Sequence, residues 1–298
     1  MNIYKSCTLC PRMCRINRYE ETGFCCCDNK VHLALAKPFF YEEPPISGKN
    51  GSGAIFFSGC NLKCCFCQNM EISSFNKGKV VSITRLAEIM LELQAKHVHN
   101  INLVTPTMYI PSIIKAIKKA RKNGLNIPII YNCSGYENAN AIKLLNGYID
   151  VYLPDFKYYD DTYAMKYSKA HNYFLNAKES IKEMVKQTGR CQFDSDGHIV
   201  KGVIVRHLML PGLKEDTKKI INYLYSTYQD DIFFSIMNQY TPNRYVTYSE
   251  LKQPLKDGDY NEIIDYCIDL GITNAFCQVG GTVTESFIPD FNFEGVDK

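Results

Sequence analysis

Short apolar runs alternate with longer stretches of helical period along most of the chain. Ala54-Ile55-Phe56-Phe57 reads as a buried strand. Ser82 or Thr84 caps a helix whose Leu86, Ile89, Met90 and Leu93 share one face. Asn100 to Thr105 is a second strand, and a helix from Ser112 to Asn123 closes at Gly124. Its Lys115, Lys118, Lys119 and Lys122 form the wet face opposite Ile113, Ile117 and Ala120. Further strands are predicted at Ile127–Asn132, Ile149–Asp155, Val203–Leu210 and Ile232–Met237, and a last apolar run at Asn274–Val279. Helical segments at about 162–187, 214–225 and 260–270 separate them. Strands alternating with helices imply parallel strands joined by crossovers. About six units are present, too few for a closed eight-fold ring, so the fold class is α/β, an open partial (β/α)6 barrel. Ligands of such sheets sit at the C-terminal strand ends. There the chain carries Thr105, Asn132 with Ser134, Asp155 with Lys157, Arg206 with His207, and Asn238-Gln239-Tyr240. Arg206 and His207 alternate faces, so one of the two points inward.

Composition narrows the class. The 298 residues are 46% hydrophobic and 22% charged, with a formal charge of +3, enough for one large domain with a small appendage. The charge supplies no strong basic field for nucleic acid. No apolar run reaches the ~20 residues that span a bilayer, so no membrane partner is expected. The first residues lack a signal-type apolar core, and a cytoplasmic location is expected. Fourteen cysteines in a reducing compartment argue for metal ligation over disulfides.

Two cysteine groups stand out. Residues 1–50 form a cysteine-rich head in which Cys7, Cys10 and Cys14 are spaced C-x2-C-x3-C, with Cys25, Cys26 and Cys27 following. Four thiolates would make a closed site for zinc or an iron–sulfur cluster. Cys25 is the first choice for the fourth ligand, with Cys26 and Cys27 as rivals. A head this small has little core, so metal would supply stability. The bland alternative is free thiols in a flexible leader. Glu42 and Glu43, in the Pro- and Gly-rich approach to the first strand, could reach a substrate but read better as a solvated connector. Residues 51–298 form the barrel with a C-terminal extension.

The second group, directly after the first barrel strand, is Cys60, Cys64 and Cys67 in C-x3-C-x2-C spacing, with Phe66 before the last cysteine. Cubane clusters normally take four cysteines, so three leave one iron open. A zinc knuckle would want a fourth ligand and paired C-x2-C units. The loop resembles the cluster loop of the radical S-adenosylmethionine (SAM) superfamily. Asn132-Cys-Ser-Gly135, Leu153-Pro-Asp-Phe-Lys157 and Arg206 with Pro211-Gly212 resemble elements of pyruvate formate-lyase activating enzymes. The head and the segments Ile46-Ser-Gly48, Asn100–Pro106 and Arg206-His-Leu resemble the activating-enzyme-like radical SAM proteins, and that likeness covers nearly the full chain.

The resemblance implies a [4Fe–4S] cluster on Cys60, Cys64 and Cys67 whose open iron binds SAM. Asn132 and Asp155 would lie near the SAM carboxylate or a monovalent cation, Lys157 and Arg206 would contact SAM, and backbone around Phe66 would read adenine. Ser134 is a further polar candidate for the SAM hydroxyls. The Gly-Gly-Glu element that takes the SAM amino group in many members is missing. Thr105-Pro106-Thr107 stands there, with Thr105 or its carbonyl as the substitute. Gly280-Gly281-Thr282 comes too late to replace it and reads as a turn. The implied activity is reductive SAM cleavage and hydrogen abstraction, with a glycyl-radical enzyme as partner substrate and flavodoxin or ferredoxin as reductant. The alternatives are a small molecule or other peptide as substrate, or a non-catalytic zinc-binding module.

Overall fold

The computed structural model describes residues 3–278 and 289–297. Its strands are β1 (Val31–Phe39), β2 (Ser52–Phe57), β3 (Lys79–Val81), β4 (Ile101–Val104), β5 (Ile129–Cys133), β6 (Val151–Pro154), β7 (Gln192–Phe193), β8 (Ile199–Leu208), β9 (Phe233–Met237) and β10 (Ala275–Cys277). The helices are α1 (Pro44–Ser47), α2 (Met70–Ser73), α3 (Ile83–Ala95), α4 (Ile110–Lys122), α5 (Ala139–Lys143), α6 (Asp161–Ser168), α7 (Tyr173–Thr188), α8 (Lys214–Tyr228) and α9 (Asp257–Asp269). All strands belong to one sheet ordered β10-β9-β8-β6-β5-β4-β2-β1-β3, with β7 paired to β8. From β2 to β10 the neighbours along this path are parallel. The parallel strands thus follow chain order around an open α/β barrel, as their alternation with helices predicts. The turn expected at Gly280-Gly281-Thr282 and the last residue of the run ending at Val279 lie outside the described residues.

Local chemistry accounts for the element ends. Ser82 caps α3 by accepting the Arg85 N–H at 3.0 Å. Gly124, at φ +100°, follows α4 as a left-handed terminator. The segment expected as one helix at 162–187 is two, α6 and α7. Lys169 and Asn172 both adopt left-handed φ values between them, and the chain turns sharply there.

Strand side chains alternate between two environments, as the two-residue period requires. Outward residues such as Ile55, Leu103, Tyr131, Tyr152 and Val205 pack under the helices in the main core. Inward residues change character along the barrel axis. At the lower level Ile130, Val151, Leu153 and Ile204 form an apolar cluster. One step toward the C-terminal ends come Asn132, Asp155 and Arg206.

The approach to β2 is structured rather than solvated. β1 pairs antiparallel with β2, Phe39 facing Ser52, and so delivers residues 40–47 to the N-terminal mouth of the barrel. There α1 inserts Ile46, fully buried, into the cluster of Ile130, Val151 and Ile204. The Asn100 side-chain amide donates to the Ile46 carbonyl at 2.8 Å. The β1 strand was missed in the sequence because it lies among cysteine-rich and turn-rich segments. Its free edge is covered by β3 and by the C-terminal residues, where Phe293 N–H donates to Ala34 O and Ala36 N–H donates to Glu294 O. Phe291 packs edge-on against Phe56, ring centroids 5.6 Å apart.

Glu137, after β5, is fully buried. It accepts from the Thr107 hydroxyl at 2.7 Å and the Tyr131 hydroxyl at 3.2 Å. Burial pushes its carboxyl up to about 8, against the opposing effect of those hydrogen bonds. Between its ordinary value near 4.5 and about 8, the folded chain holds this proton and the unfolded chain does not. Stability therefore falls as pH rises through that window. Urea midpoints at pH 5.5 and pH 8 should drop for the wild type, with a smaller drop for Glu137→Gln; equal drops would remove Glu137 as the cause.

Candidate active site

The loop after β2 begins at Gly59, φ +84°, where a Cβ would collide with Cys27 Sγ and the Cys25 carbonyl. Only glycine lets the head lie this close to the loop. The loop then runs through Cys60, Cys64 and Cys67 into α2. Its backbone is tied down by Cys65 N–H to Tyr167 O at 2.8 Å and Gly59 N–H to Ile72 O at 2.7 Å. Asn61, almost wholly buried, donates to Tyr136 O at 2.5 Å and accepts from the Ser134 hydroxyl at 3.3 Å.

A cavity of about 240 Å³ opens at the C-terminal ends of the strands. Cys60, Cys64 and Cys67 line it, and so do Phe66, Thr105, Asn132, Ser134, Asp155, Lys157 and Arg206. Every residue singled out from the sequence for the cluster and for SAM thus meets in one space. Phe66 packs edge-on to Tyr240, centroids 6.2 Å apart. The loop after β9 leans over the cysteines, with Asn243 Nδ2 donating to Cys67 O at 3.2 Å and Gln68 Nε2 to Gln239 O at 3.3 Å.

The thiols sit in donor-rich, partly buried surroundings. The Ser168 hydroxyl donates to Cys64 Sγ at 3.0 Å, Leu62 N–H lies 3.4 Å from Cys60 Sγ, and Cys67 Sγ is 3.2 Å from the Ser73 hydroxyl. Burial pushes the Cys64 thiol up to about 11 and Cys60 higher still. Bound iron would offset that cost, adding to the weaker help that Lys157 gives Cys64 and Lys63 gives Cys60. Among the described residues no three His, Cys, Asp or Glu side chains converge on a point for a single ion. A cubane asks less, since each cysteine binds a different iron. Three thiols on one cavity wall, each with a hydrogen-bond donor or hydroxyl beside it, fit such a cluster.

Beneath the cysteines runs a row of alternating charges. Lys157 Nζ lies 2.6 Å from Asp155 Oδ2, Arg206 Nε is 3.2 Å from Asp155 Oδ1, and Arg206 Nη1 is 3.0 Å from Glu42 Oε2. Arg206 Nη2 donates to Asn132 Oδ1 at 2.6 Å. Burial alone would raise the Asp155 carboxyl, but Lys157 and Arg206 outweigh it and hold it below the usual range. Gly135, φ +72°, leaves room for the Asp155 carbonyl, which a Cβ would strike.

Glu42 corrects the reading of a solvated connector. Its side chain is only 8% exposed, and its Oε1 accepts from Asn102 Nδ2 at 2.9 Å and Asn132 Nδ2 at 3.3 Å. Burial raises its carboxyl despite Arg206. Nothing in the local sequence signals this; only the antiparallel return of β1 brings it under the barrel. Asn102 Oδ1 is buried there without a partner. Thr105 has φ +60°, a left-handed conformation rare for a β-branched residue, at a cost of roughly 1–3 kcal/mol. Its N–H donates to Asn132 O at 2.9 Å. His207 points away from the cavity, bonded to Phe156 O at 2.7 Å and the Thr217 hydroxyl at 2.9 Å, so Arg206 is the inward member of the pair.

The head brings its own cysteines together. Cys7, Cys10, Cys14 and Cys25 line one narrow crevice. Arg12 bridges it to the loop, donating from Nε to Asn61 O at 3.0 Å.

A model of the family described as "Radical SAM superfamily" matches residues 54–224. The chain belongs to the radical SAM superfamily. An uncharacterized protein of Methanocaldococcus jannaschii is 30% identical over 275 residues, 86% of this chain and 75% of that protein. Among solved structures, Streptococcus suis SuiB bound to S-adenosylmethionine has a TM-score of 0.50 at 15% identity, covering 74% of this chain and 48% of SuiB. HydG, a maturase of the [FeFe]-hydrogenase, has a TM-score of 0.51 at 15% identity, covering 73% of this chain and 49% of HydG. The chain spans about half the length of both. These likenesses carry the fold. Membership in the superfamily carries the SAM-dependent radical chemistry and the iron–sulfur cluster. No helix among the described residues is long and apolar enough to cross a membrane.

Asp155→Asn should leave Lys157 and Arg206 as under-compensated buried cations and destabilise the chain by about 3 kcal/mol. The stabilisation from Asp155 is present at neutral pH and is lost as pH falls through its depressed pKa. Denaturant titrations from pH 7 down to pH 2 check both: the variant's deficit should persist to about pH 4, above the depressed pKa, and shrink only below it, and a deficit that stays constant to pH 2 would contradict the charge argument.

Proposed function

We propose that this enzyme holds a [4Fe–4S] cluster on Cys60, Cys64 and Cys67 and uses it to cleave SAM reductively. The observation that supports this best is the meeting, in one cavity at the C-terminal strand ends, of the ten residues selected from the sequence for the cluster and for SAM. A cluster held by Cys60, Cys64 and Cys67 would supply the one-electron reduction that cleaves SAM, with an external reductant providing the electron, and so make hydrogen abstraction from a substrate available. The chain's own residues bind and orient. Lys157 and Arg206 offer cationic donors for the SAM carboxylate. Asn132 and Ser134 offer polar partners, Thr105 stands where the amino group would otherwise meet the missing Gly-Gly-Glu element, and Phe66 with Tyr240 shields the adenine side from water. The barrel keeps the radical from solvent while the cofactor carries the hard chemistry.

The substrate we favour is a backbone glycine of a partner enzyme, converted to a glycyl radical, with flavodoxin or ferredoxin as electron donor. This rests on the likeness of the Asn132, Asp155–Lys157 and Arg206 segments to activating enzymes. One observation favours the second reading, a small molecule or other peptide. Buried Glu42, which lines the cavity, gives it a polar floor suited to a compact polar substrate. The two readings separate by whether turnover depends on a glycyl-radical enzyme.

Anaerobic incubation of the reconstituted enzyme with SAM and dithionite should yield 5′-deoxyadenosine. Cys64→Ala should abolish it, at least a hundredfold, while circular dichroism shows a folded chain. Cleavage retained in that variant would refute the ligand assignment.

A further inference from the structure

Residues 3–28 have almost no regular secondary structure beyond one short 3-10 turn at Ile3–Lys5. Their loops are held by Cys7 N–H to Ile16 O at 3.0 Å and Arg15 N–H to Cys7 O at 2.9 Å, with Met13 and Arg15 both at positive φ. The strain folds the chain back so that Cys7, Cys10 and Cys14 share one crevice with Cys25. Of the rival thiols, Cys26 faces elsewhere, while Cys27 sits beside Cys25, donating to its carbonyl at 3.2 Å, and points on into the core. Cys26 Sγ lies 3.8 Å from both Phe24 O and Lys63 Nζ. Cys27 Sγ lies 3.6 Å from Ser58 O and receives the Tyr109 hydroxyl at 3.4 Å, inside the barrel core. Neither lines the crevice.

An independent feature points the same way. Arg18 is 1% exposed and also lines the crevice. It donates to Met108 O at 2.5 Å and to Asp28 O, and its Nε is buried without a partner. Among the described residues no carboxylate forms an ion pair with it. Two carbonyls and the Tyr4 ring, 4.7 Å from the Arg18 guanidinium carbon, offset part of its burial cost, and an anion beside it would offset the rest. The crevice offers only sulfur for that role, and four thiols become a compact anion when they bind a soft metal.

We propose that Cys7, Cys10, Cys14 and Cys25 form a second, four-thiolate metal centre, with Arg18 as its buried counter-charge. Among the described residues the thiols do not converge on one point as a single zinc would require, so the chemistry suits an iron–sulfur cluster, in which each thiolate takes a different iron. The centre is separate from the SAM cavity and stands or falls independently of the radical chemistry. Through Arg12 and the close approach at Gly59 it fixes the start of the loop that carries Cys60.

The test uses the full chain with Cys60, Cys64 and Cys67 all replaced by alanine, prepared anaerobically and free of any affinity tag. About four irons with four sulfides should remain per chain. X-ray absorption at that metal's edge should show sulfur-only coordination. Adding Cys25→Ala should lower the retained metal at least tenfold, whereas Cys26→Ser should leave it unchanged. A triple variant without metal overturns the proposal, as does nitrogen or oxygen in the coordination sphere. So does equal loss with Cys26→Ser. The absorption spectrum of the triple variant decides the matter even if Cys25→Ala fails to fold.

Discussion

The site depends on a row of charges that could not survive singly. Glu42, Arg206, Asp155 and Lys157 alternate in sign across the barrel, each touching the next. Removing one member would leave its neighbours as isolated ions in a poorly hydrated interior, which is costly. The row therefore fixes three elements at once: β8 through Arg206, the end of β6 through Asp155, and the plug below through Glu42. The backbone repeats the linkage, since Phe156 N–H donates to Arg206 O at 2.7 Å. A zwitterion entering this space meets charges of both signs already held in place, so little reorganisation is required of the protein.

Much of the barrel was legible because its signals are local. Apolar runs bounded by turns marked β2, β4, β5, β6, β8 and β9, and polar residues just past those runs marked the rim. Asp155 and Arg206 were readable for that reason. Glu42 was not. Its neighbourhood of prolines and glycines looks like any exposed connector, and its burial follows from a long-range antiparallel pairing that no local period announces. The break between α6 and α7 was hidden for a related reason: Lys169 and Asn172 end helices through backbone conformation, not through glycine or proline. Thr105 was selected for its place in the chain, but its left-handed φ carries no sequence signature at all.

The two cysteine groups differ in how they are held. The loop after β2 inherits rigidity from the strand before it and from hydrogen bonds to α6. The head has little core of its own and leans on side chains that reach into the barrel: Tyr4 to Ser112 at 3.0 Å, Arg18 to Met108, and Asn138 to Thr8 at 2.7 Å. Its order is borrowed from the larger body, consistent with the small apolar surface it can bury alone.

The wedge formed by α1 has a consequence for traffic. With Ile46 lodged among Ile130, Val151 and Ile204, the lower end of the barrel is stoppered, and the chamber is a cul-de-sac on that side. Whatever arrives at the sulfur-bearing rim cannot leave through the floor, so arrival and departure share the upper and open sides of the barrel.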